Sequence, residues 1–229
     1  MYRIIPIILI YLLMTNSSEY KAQDWPNLNK YKKENNKLPT IQNQDKRVVF
    51  MGNSITEFWS DYSNFFKSNK NYINRGISGQ TSPQMLLRFR QDVINLRANV
   101  VVILTGINDI AENTGPSTVE MIKNNIISMT ELAKINNIRV ILCSVLPAEE
   151  FSWSPSIKPA KIVVELNEKI KSFANQNNVI YVDYFREMKN ENDGMRSDLA
   201  NDGIHPNKLG YSIMEPIIEK AIQKSLENP

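Results

Sequence analysis

The sequence is poor in the side chains that build disulfides and metal centres. Its 229 residues contain a single cysteine, Cys143, and a single histidine, His205. One cysteine cannot form an internal disulfide, and one cysteine with one histidine is too few for a zinc site of the Cys/His kind. Any reaction of this protein that needs an imidazole must therefore use His205.

A strong excess of charge is also missing. The chain has 27 Lys and Arg against 24 Asp and Glu, a formal net charge of +3, and the two signs are interspersed without a basic stripe. This pattern argues against a nucleic-acid partner. The length favours one domain with a sizeable core, and we find no internal repeat or low-complexity linker.

No apolar run is long enough to span a membrane. After a short charged start, residues 4–14 are apolar except for Pro6, about 11 residues against the roughly 20 that a span needs. The pattern predicts a signal peptide over residues 1–22 with cleavage after Ala22, hence a periplasmic or secreted protein without a stable membrane span after cleavage. The alternatives are a buried strand or helix, or an uncleaved anchor.

The rest of the chain divides into an arm and a domain. Residues 23–45 are polar with scattered apolar anchors and predict an extended or partly helical arm, whereas residues 46–229 show a regular pattern. Continuous β-branched runs of the kind found in buried parallel strands occur at Arg47–Met51, Asn71–Asn74, Asn99–Thr105, Arg139–Val145 and Asn178–Val182.

Helical patterns separate these runs. Ser117 and Glu120 form a candidate capping box, and helices are expected over residues 158–176 and 212–226. Strands that alternate with helices predict an α/β domain with a mostly parallel sheet. In such folds ligands gather outside the carboxyl ends of the strands.

Polar loops follow the predicted strands at the positions where this topology places a site. They are Gly52–Thr56 (GNSIT), Asn74–Gly79 (NRGISG), Gly106–Asp109 (GIND) and, before the last helix, Asp202–Pro206 (DGIHP). Parallel strands bring such loops to one edge of the sheet, so we expect these loops to converge.

The residue types in these loops suit acyl transfer. Ser54 needs a base, which His205 would supply, and Asp202 is close enough in sequence to orient the imidazole. Backbone N–H groups in a glycine-containing loop and the amide of an asparagine would stabilise an oxyanion. Taken singly, each residue has a simpler interpretation: Ser54 could cap a helix, Asn108 could be a turn residue, and Asp202 could form an Asx turn with its neighbours.

The ordered set of blocks resembles the GDSL, or SGNH, hydrolases over nearly the whole chain from Arg47 onward. The resemblance implies Ser54 as nucleophile, His205 as general base and Asp202 as its orienting carboxylate. It implies oxyanion donors from the N–H groups of Ser54 and Gly79 and from the side chain of Asn108. The implied fold is a three-layer α/β/α sandwich, flavodoxin-like, with a five-stranded parallel sheet.

One departure concerns the first block, where Asn53 stands in place of the family's usual Asp. That residue is outside the Ser–His pair, so hydrolysis stays plausible while the hydrogen bonding of the loop can differ. The G-x-S-x-G elbow of the α/β-hydrolases is absent because position 56 is Thr.

The resemblance implies an esterase that requires no cofactor and no metal. We expect a secreted enzyme that removes acetyl or other short acyl groups from carbohydrate or small lipid-like esters. The alternatives are a lysophospholipase or thioesterase for longer chains and a non-catalytic carbohydrate-binding protein on the same fold. Trp59 and Trp153 are candidate pocket residues, although core packing is the simpler role for such aromatics. Neither acyl-chain length nor oligomeric state follows from the motifs.

Overall fold

The computed structural model describes residues 23–40 and 46–227. The predicted signal peptide, residues 1–22, and the end of the arm, residues 41–45, lie outside the described residues. Within the described ranges, no helix combines the length and apolar character that a membrane crossing needs.

A five-stranded, fully parallel sheet forms the centre of the domain, as the sequence predicts. The strands are β1 (Val48–Gly52), β2 (Tyr72–Gly76), β3 (Val100–Leu104), β4 (Arg139–Cys143) and β5 (Ile180–Val182). Their order in the sheet is β2-β1-β3-β4-β5, the order of flavodoxin-like folds. Every residue of β1 and β3 is buried, which explains their uninterrupted apolar sequences.

Helices cover both faces of this sheet and complete the predicted α/β/α sandwich. They are α1 (Lys32–Asn35), α2 (Ser54–Tyr62), α3 (Phe65–Ser68), α4 (Ser82–Phe89), α5 (Ile107–Ile110), α6 (Val119–Ile135), α7 (Pro159–Gln176), α8 (Tyr184–Met188) and α9 (Lys208–Glu227). α2 and α9 pack on one face, and α4, α6 and α7 on the other. A π-helical turn, Arg90–Ile94, extends α4.

Two helices begin elsewhere than the sequence predicts. α6 is capped by Thr118, whose side chain accepts a hydrogen bond from the Met121 N–H, and not by Ser117. α9 begins four residues before Ser212 because the Asn207 side chain accepts hydrogen bonds from the N–H groups of Leu209 and Gly210. The first turn of α9 carries little apolar periodicity, so the sequence pattern placed the predicted start of the helix too late.

The strand register brings the polar loops together. Gly52, the last residue of β1, pairs with Gly76 of β2 on one side and with Leu104 of β3 on the other. The chain therefore leaves all three strands at the same level of the sheet. This places the loops that begin at Asn53, Ile77 and Thr105 along one edge, as expected from the sequence.

Candidate functional site

Ser54 is the first residue of α2, immediately after β1. The Asn53 side chain accepts a hydrogen bond from the Ile55 N–H at 3.0 Å and caps the helix. Asn53 thus caps the helix through its amide oxygen, a role that the carboxylate of an Asp can also fill. The first N–H groups of a helix have no acceptor within it, and the peptide dipoles make this end favourable for negative charge.

His205 and Asp202 meet Ser54 from the loop that precedes α9. The Ser54 Oγ lies 2.8 Å from Nε2 of His205, and Nδ1 of the same ring lies 2.6 Å from Oδ2 of Asp202. If Nδ1–H donates to the carboxylate, Nε2 is free to accept the serine proton. The structure therefore brings together the three residues that the sequence suggested, across a separation of about 150 positions.

The Asp202 carboxylate also shapes its own loop. Its Oδ1 accepts hydrogen bonds from the N–H groups of Ile204, at 2.9 Å, and His205, at 2.8 Å. Partial burial raises the pKa of Asp202, but the hydrogen bonds from His205 and Ile204 outweigh burial and leave this pKa below its usual value. An ionised carboxylate at this place favours the tautomer with the proton on Nδ1.

The predicted oxyanion donors lie on the two neighbouring loops. Gly79 is exposed and adopts a left-handed conformation with φ of 76°, which glycine tolerates best. Nδ2 of Asn108, in α5, donates a hydrogen bond to the main-chain carbonyl of Gln80 at 2.9 Å. Since an amide nitrogen carries two hydrogens, this bond orients the group and leaves one hydrogen for a ligand.

Asp109, the last residue of the third block, is 2 % exposed. Both of its carboxylate oxygens lie 2.9 Å from the Ser82 N–H, and its Oδ1 accepts from the Ser82 hydroxyl at 2.5 Å. Burial raises the pKa of Asp109 to about 6. The residue joins the loop after β3 to the start of α4, a role for which the sequence carries no separate signal.

The two tryptophans that were predicted to line a pocket lie in different environments. Trp59 is 2 % exposed, stacks on Phe65 and Tyr211, and donates from Nε1 to Glu215, so the prediction that it lines a pocket is wrong. Its neighbour Phe58 is half-buried instead, and its ring centroid lies 5.5 Å from that of His205.

Trp153 lies on the surface, 48 % exposed, and stacks on the buried ring of Phe151 at 5.1 Å. Its role in a pocket stays a prediction. In the described part of the chain, no group of three or more His, Cys, Asp or Glu side chains is placed to hold a metal ion.

Comparison with known proteins connects this geometry to a family. The model of the GDSL-like lipase/acylhydrolase family matches residues 50–213. No curated protein matches the chain. Two solved structures are each 49 % identical in sequence to it. One is a Bacteroides fragilis protein assigned as an acylhydrolase, which covers 90 % of this chain and 100 % of its own with a TM-score of 0.87.

The other is a GDSL-like lipase from Bacteroides thetaiotaomicron, which covers 87 % of this chain and 98 % of its own with a TM-score of 0.85. An acetyl xylan esterase at 21 % identity, covering 77 % of this chain and 99 % of its own, shares the fold with a TM-score of 0.63. The chain therefore belongs to the GDSL-like lipase/acylhydrolase family and is a carboxylic ester hydrolase.

Proposed function

We propose that the protein is a secreted serine esterase that works through Ser54, His205 and Asp202 and an acyl-enzyme intermediate. The observation that carries this proposal is the continuous pair of short contacts, 2.8 Å from Ser54 Oγ to His205 Nε2 and 2.6 Å from Nδ1 to Asp202. Residues 1–22, as a signal peptide, would direct secretion.

In the first half-reaction His205 removes the proton of the Ser54 hydroxyl while the oxygen attacks the ester carbonyl. The tetrahedral oxyanion that forms collapses, and the protonated imidazole gives its proton to the departing alcohol. In the second half-reaction His205 takes a proton from water, which attacks the acyl-serine. As this second tetrahedral intermediate collapses, the imidazolium returns the proton to Ser54 Oγ and the acid leaves. Asp202 stabilises the imidazolium at both stages and keeps the ring oriented.

Three donors stabilise the oxyanion in this scheme. They are the N–H of Ser54 at the start of α2, the N–H of Gly79 in its left-handed turn, and the second amide hydrogen of Asn108. Each comes from a different loop on the same edge of the sheet. Donors that are already aimed need little reorganisation when negative charge develops, which is the main electrostatic source of catalysis.

The proposed substrates are esters of acetyl or other short acyl groups on carbohydrates or small lipid-like alcohols. The resemblance of the four sequence blocks supports this class. Phe58 supports it as well, because its ring lies beside His205 and offers an apolar surface to a small acyl group or to the face of a sugar.

Replacement of Ser54 by alanine tests the mechanism. We expect Ser54→Ala to lower kcat for p-nitrophenyl acetate by at least about 10⁴-fold, because no other group supplies the attacking oxygen. Ser212→Ala is the control, since that exposed hydroxyl only donates to the Leu209 carbonyl and its loss leaves kcat unchanged. Wild-type turnover in a folded Ser54→Ala protein would overturn the assignment.

A substrate panel tests the class of ester. p-Nitrophenyl esters from acetyl to palmitoyl, together with acetylated xylan, separate the proposal from its alternatives. Highest kcat/KM for acetyl, with acetate released from xylan, supports it. A maximum at long chains identifies a lysophospholipase or thioesterase, and binding of xylan without any hydrolysis identifies a non-catalytic carbohydrate-binding protein; either result contradicts it.

A further inference from the structure

A buried arginine lies behind the proposed oxyanion site. Arg88, in α4, is 0 % exposed, and each of its three nitrogens has a partner. Nη1 lies 3.1 Å from the Asp92 carboxylate, Nη2 donates to the Gly52 carbonyl at 2.9 Å, and Nε donates to Oε1 of Gln80 at 2.5 Å. A buried charge is tolerated only when it is paired and hydrogen-bonded, so these contacts hold Arg88 in one position.

Two of the Arg88 partners lead to the reacting groups. Gly52 ends β1, two residues before Ser54. Gln80 follows Gly79, and its main-chain carbonyl accepts the hydrogen bond from Nδ2 of Asn108. One guanidinium group therefore contacts both the turn that carries the nucleophile and the loop that carries Gly79, one of the proposed oxyanion donors.

The Gln80 side chain has a second anchor on the N-terminal arm. It is 3 % exposed, and its Nε2 donates to the Pro26 carbonyl at 2.7 Å. The arm also contacts Asp92, the carboxylate that pairs with Arg88. Nδ2 of Asn35 donates to Oδ1 of Asp92 at 2.8 Å. Both arm residues precede the segment matched by the family model, which begins at residue 50.

We propose that Gln80 is a positioning residue for ester hydrolysis. Arg88 and Pro26 hold its side chain from two sides, and this fixes the main-chain carbonyl that aims the Asn108 amide at the oxyanion. The inference rests on the proposed function, since it assigns a support to the oxyanion site of that reaction. It also gives the N-terminal arm a part in the site.

The expected fall in kcat can be estimated from the known cost of removing or displacing an oxyanion donor. Loss of one oxyanion donor lowers kcat by roughly 10²- to 10³-fold, and a misplacement of about 1 Å costs a comparable factor. Gln80→Met keeps the length and burial of the side chain but removes both hydrogen bonds. We expect kcat to fall by about 10- to 100-fold while KM changes less than about threefold, because the support acts on the transition state.

Gln91→Met is the matched control. Gln91 also donates from Nε2 to a carbonyl of the arm, that of Leu28 at 2.6 Å, but among the described residues its side chain has no hydrogen bond to Arg88 or to residues 77–80. Gln80→Glu is the partial-rescue variant, because one carboxylate oxygen still accepts from Nε of Arg88 while the hydrogen bond to the Pro26 carbonyl is lost. We expect Gln91→Met to keep wild-type kcat and Gln80→Glu to recover part of the loss.

A small alkylboronic acid supplies a readout independent of turnover, since it forms a tetrahedral adduct with an active serine and uses the same donors. Its inhibition constant should rise in Gln80→Met by a factor similar to the fall in kcat. A Gln80→Met protein with lowered thermal stability but wild-type kcat and boronate affinity would overturn the positioning role. If the Met variant does not fold, Gln80→Asn, one methylene too short to span both partners, replaces it in the same comparison.

The two proposals fail in different ways. If Ser54→Ala and the wild type hydrolyse p-nitrophenyl acetate equally, the proposed function is wrong. If Ser54→Ala is inactive and Gln80→Met equals the wild type in kcat and boronate affinity, only the positioning role is wrong.

Discussion

Asp202 performs two tasks that sequence reasoning treated as alternatives. One carboxylate oxygen accepts hydrogen bonds from the N–H groups of Ile204 and His205 and so forms the Asx turn expected of an Asp in a loop. The other oxygen contacts the His205 ring. The turn is therefore the means by which the carboxylate is held against the imidazole, and three residues of separation are enough.

Asp109 is a buried carboxyl group whose titration couples stability to pH. Its pKa rises from 3.8 to about 6 on folding because burial disfavours the charged form more than the Ser82 hydrogen bonds favour it. The folded state therefore binds this proton more tightly than the unfolded state. The stabilisation is complete below about pH 4 and is lost as the pH rises through about 6, up to about 3 kcal/mol in total.

Asp109→Asn removes this titration. We expect the free energy of unfolding of the wild type, measured relative to Asp109→Asn, to fall by up to about 3 kcal/mol between pH 4 and pH 7. Urea unfolding at several pH values measures it. Asp198→Asn is the control, since that exposed carboxylate pairs only with Arg196 at the surface. A difference between wild type and Asp109→Asn that stays constant over this range would contradict the prediction.

At the scale of elements, the sheet and the loop positions were predictable because they depend on local patterns. Continuous apolar runs identified all five strands, and the polar blocks after them located Ser54, Gly79 and Asn108. The support behind the site was not predictable, because only Asp92, four positions after Arg88, follows helical spacing, whereas Gln80 and Gly52 are 8 and 36 positions away. Trp59 was misplaced for a related reason: an aromatic residue after a strand has the same sequence signature in a core and in a pocket.

The packing of α2 on β2 depends on Gly76. A Cβ atom at this position would lie 2.1 Å from the main-chain N of Glu57, so α2 would have to move away from the sheet. Because Ser54 begins α2, the same movement would shift the nucleophile. We expect Gly76→Ala to lower the free energy of unfolding by about 3 kcal/mol and to reduce esterase activity with it, as measured by urea unfolding and p-nitrophenyl acetate hydrolysis.

Gly79→Ala separates this steric effect from backbone strain. A Cβ atom at Gly79 meets nothing within 4 Å, and only its left-handed φ of 76° disfavours alanine, which costs about 1 to 2 kcal/mol. Gly76→Ala should therefore be the less stable of the two variants. Equal stabilities, or a more stable Gly76→Ala, would show that α2 does not press on β2 as described.

At the scale of the whole molecule, the arm and the domain share one buried polar network. The Tyr31 hydroxyl donates to the Gly76 carbonyl, and its ring lies under the Arg75 guanidinium at 4.5 Å. Asn35 contacts both the Arg75 and Asp92 side chains. The arm thus covers charges that would otherwise be exposed at the edge of the sheet next to α4, and it contributes to the fold as well as to the proposed site.

Cys143, the single cysteine, offers a measure of how cooperatively this structure opens. It ends β4, is 2 % exposed, and burial raises the pKa of its thiol above the usual range, so it does not react while the sheet is intact. We expect a disulfide reagent such as 5,5′-dithiobis(2-nitrobenzoic acid) to label no thiol in the folded protein and one per chain in denaturant.

Slow labelling under native conditions requires β4 to separate from its neighbours. If that separation is global unfolding, the rate must follow the free energy of unfolding, and Gly76→Ala, though located on the far side of the sheet, should accelerate it by about 10²-fold. Equal labelling rates in wild type and Gly76→Ala would mean that the short edge strand β5 opens by itself.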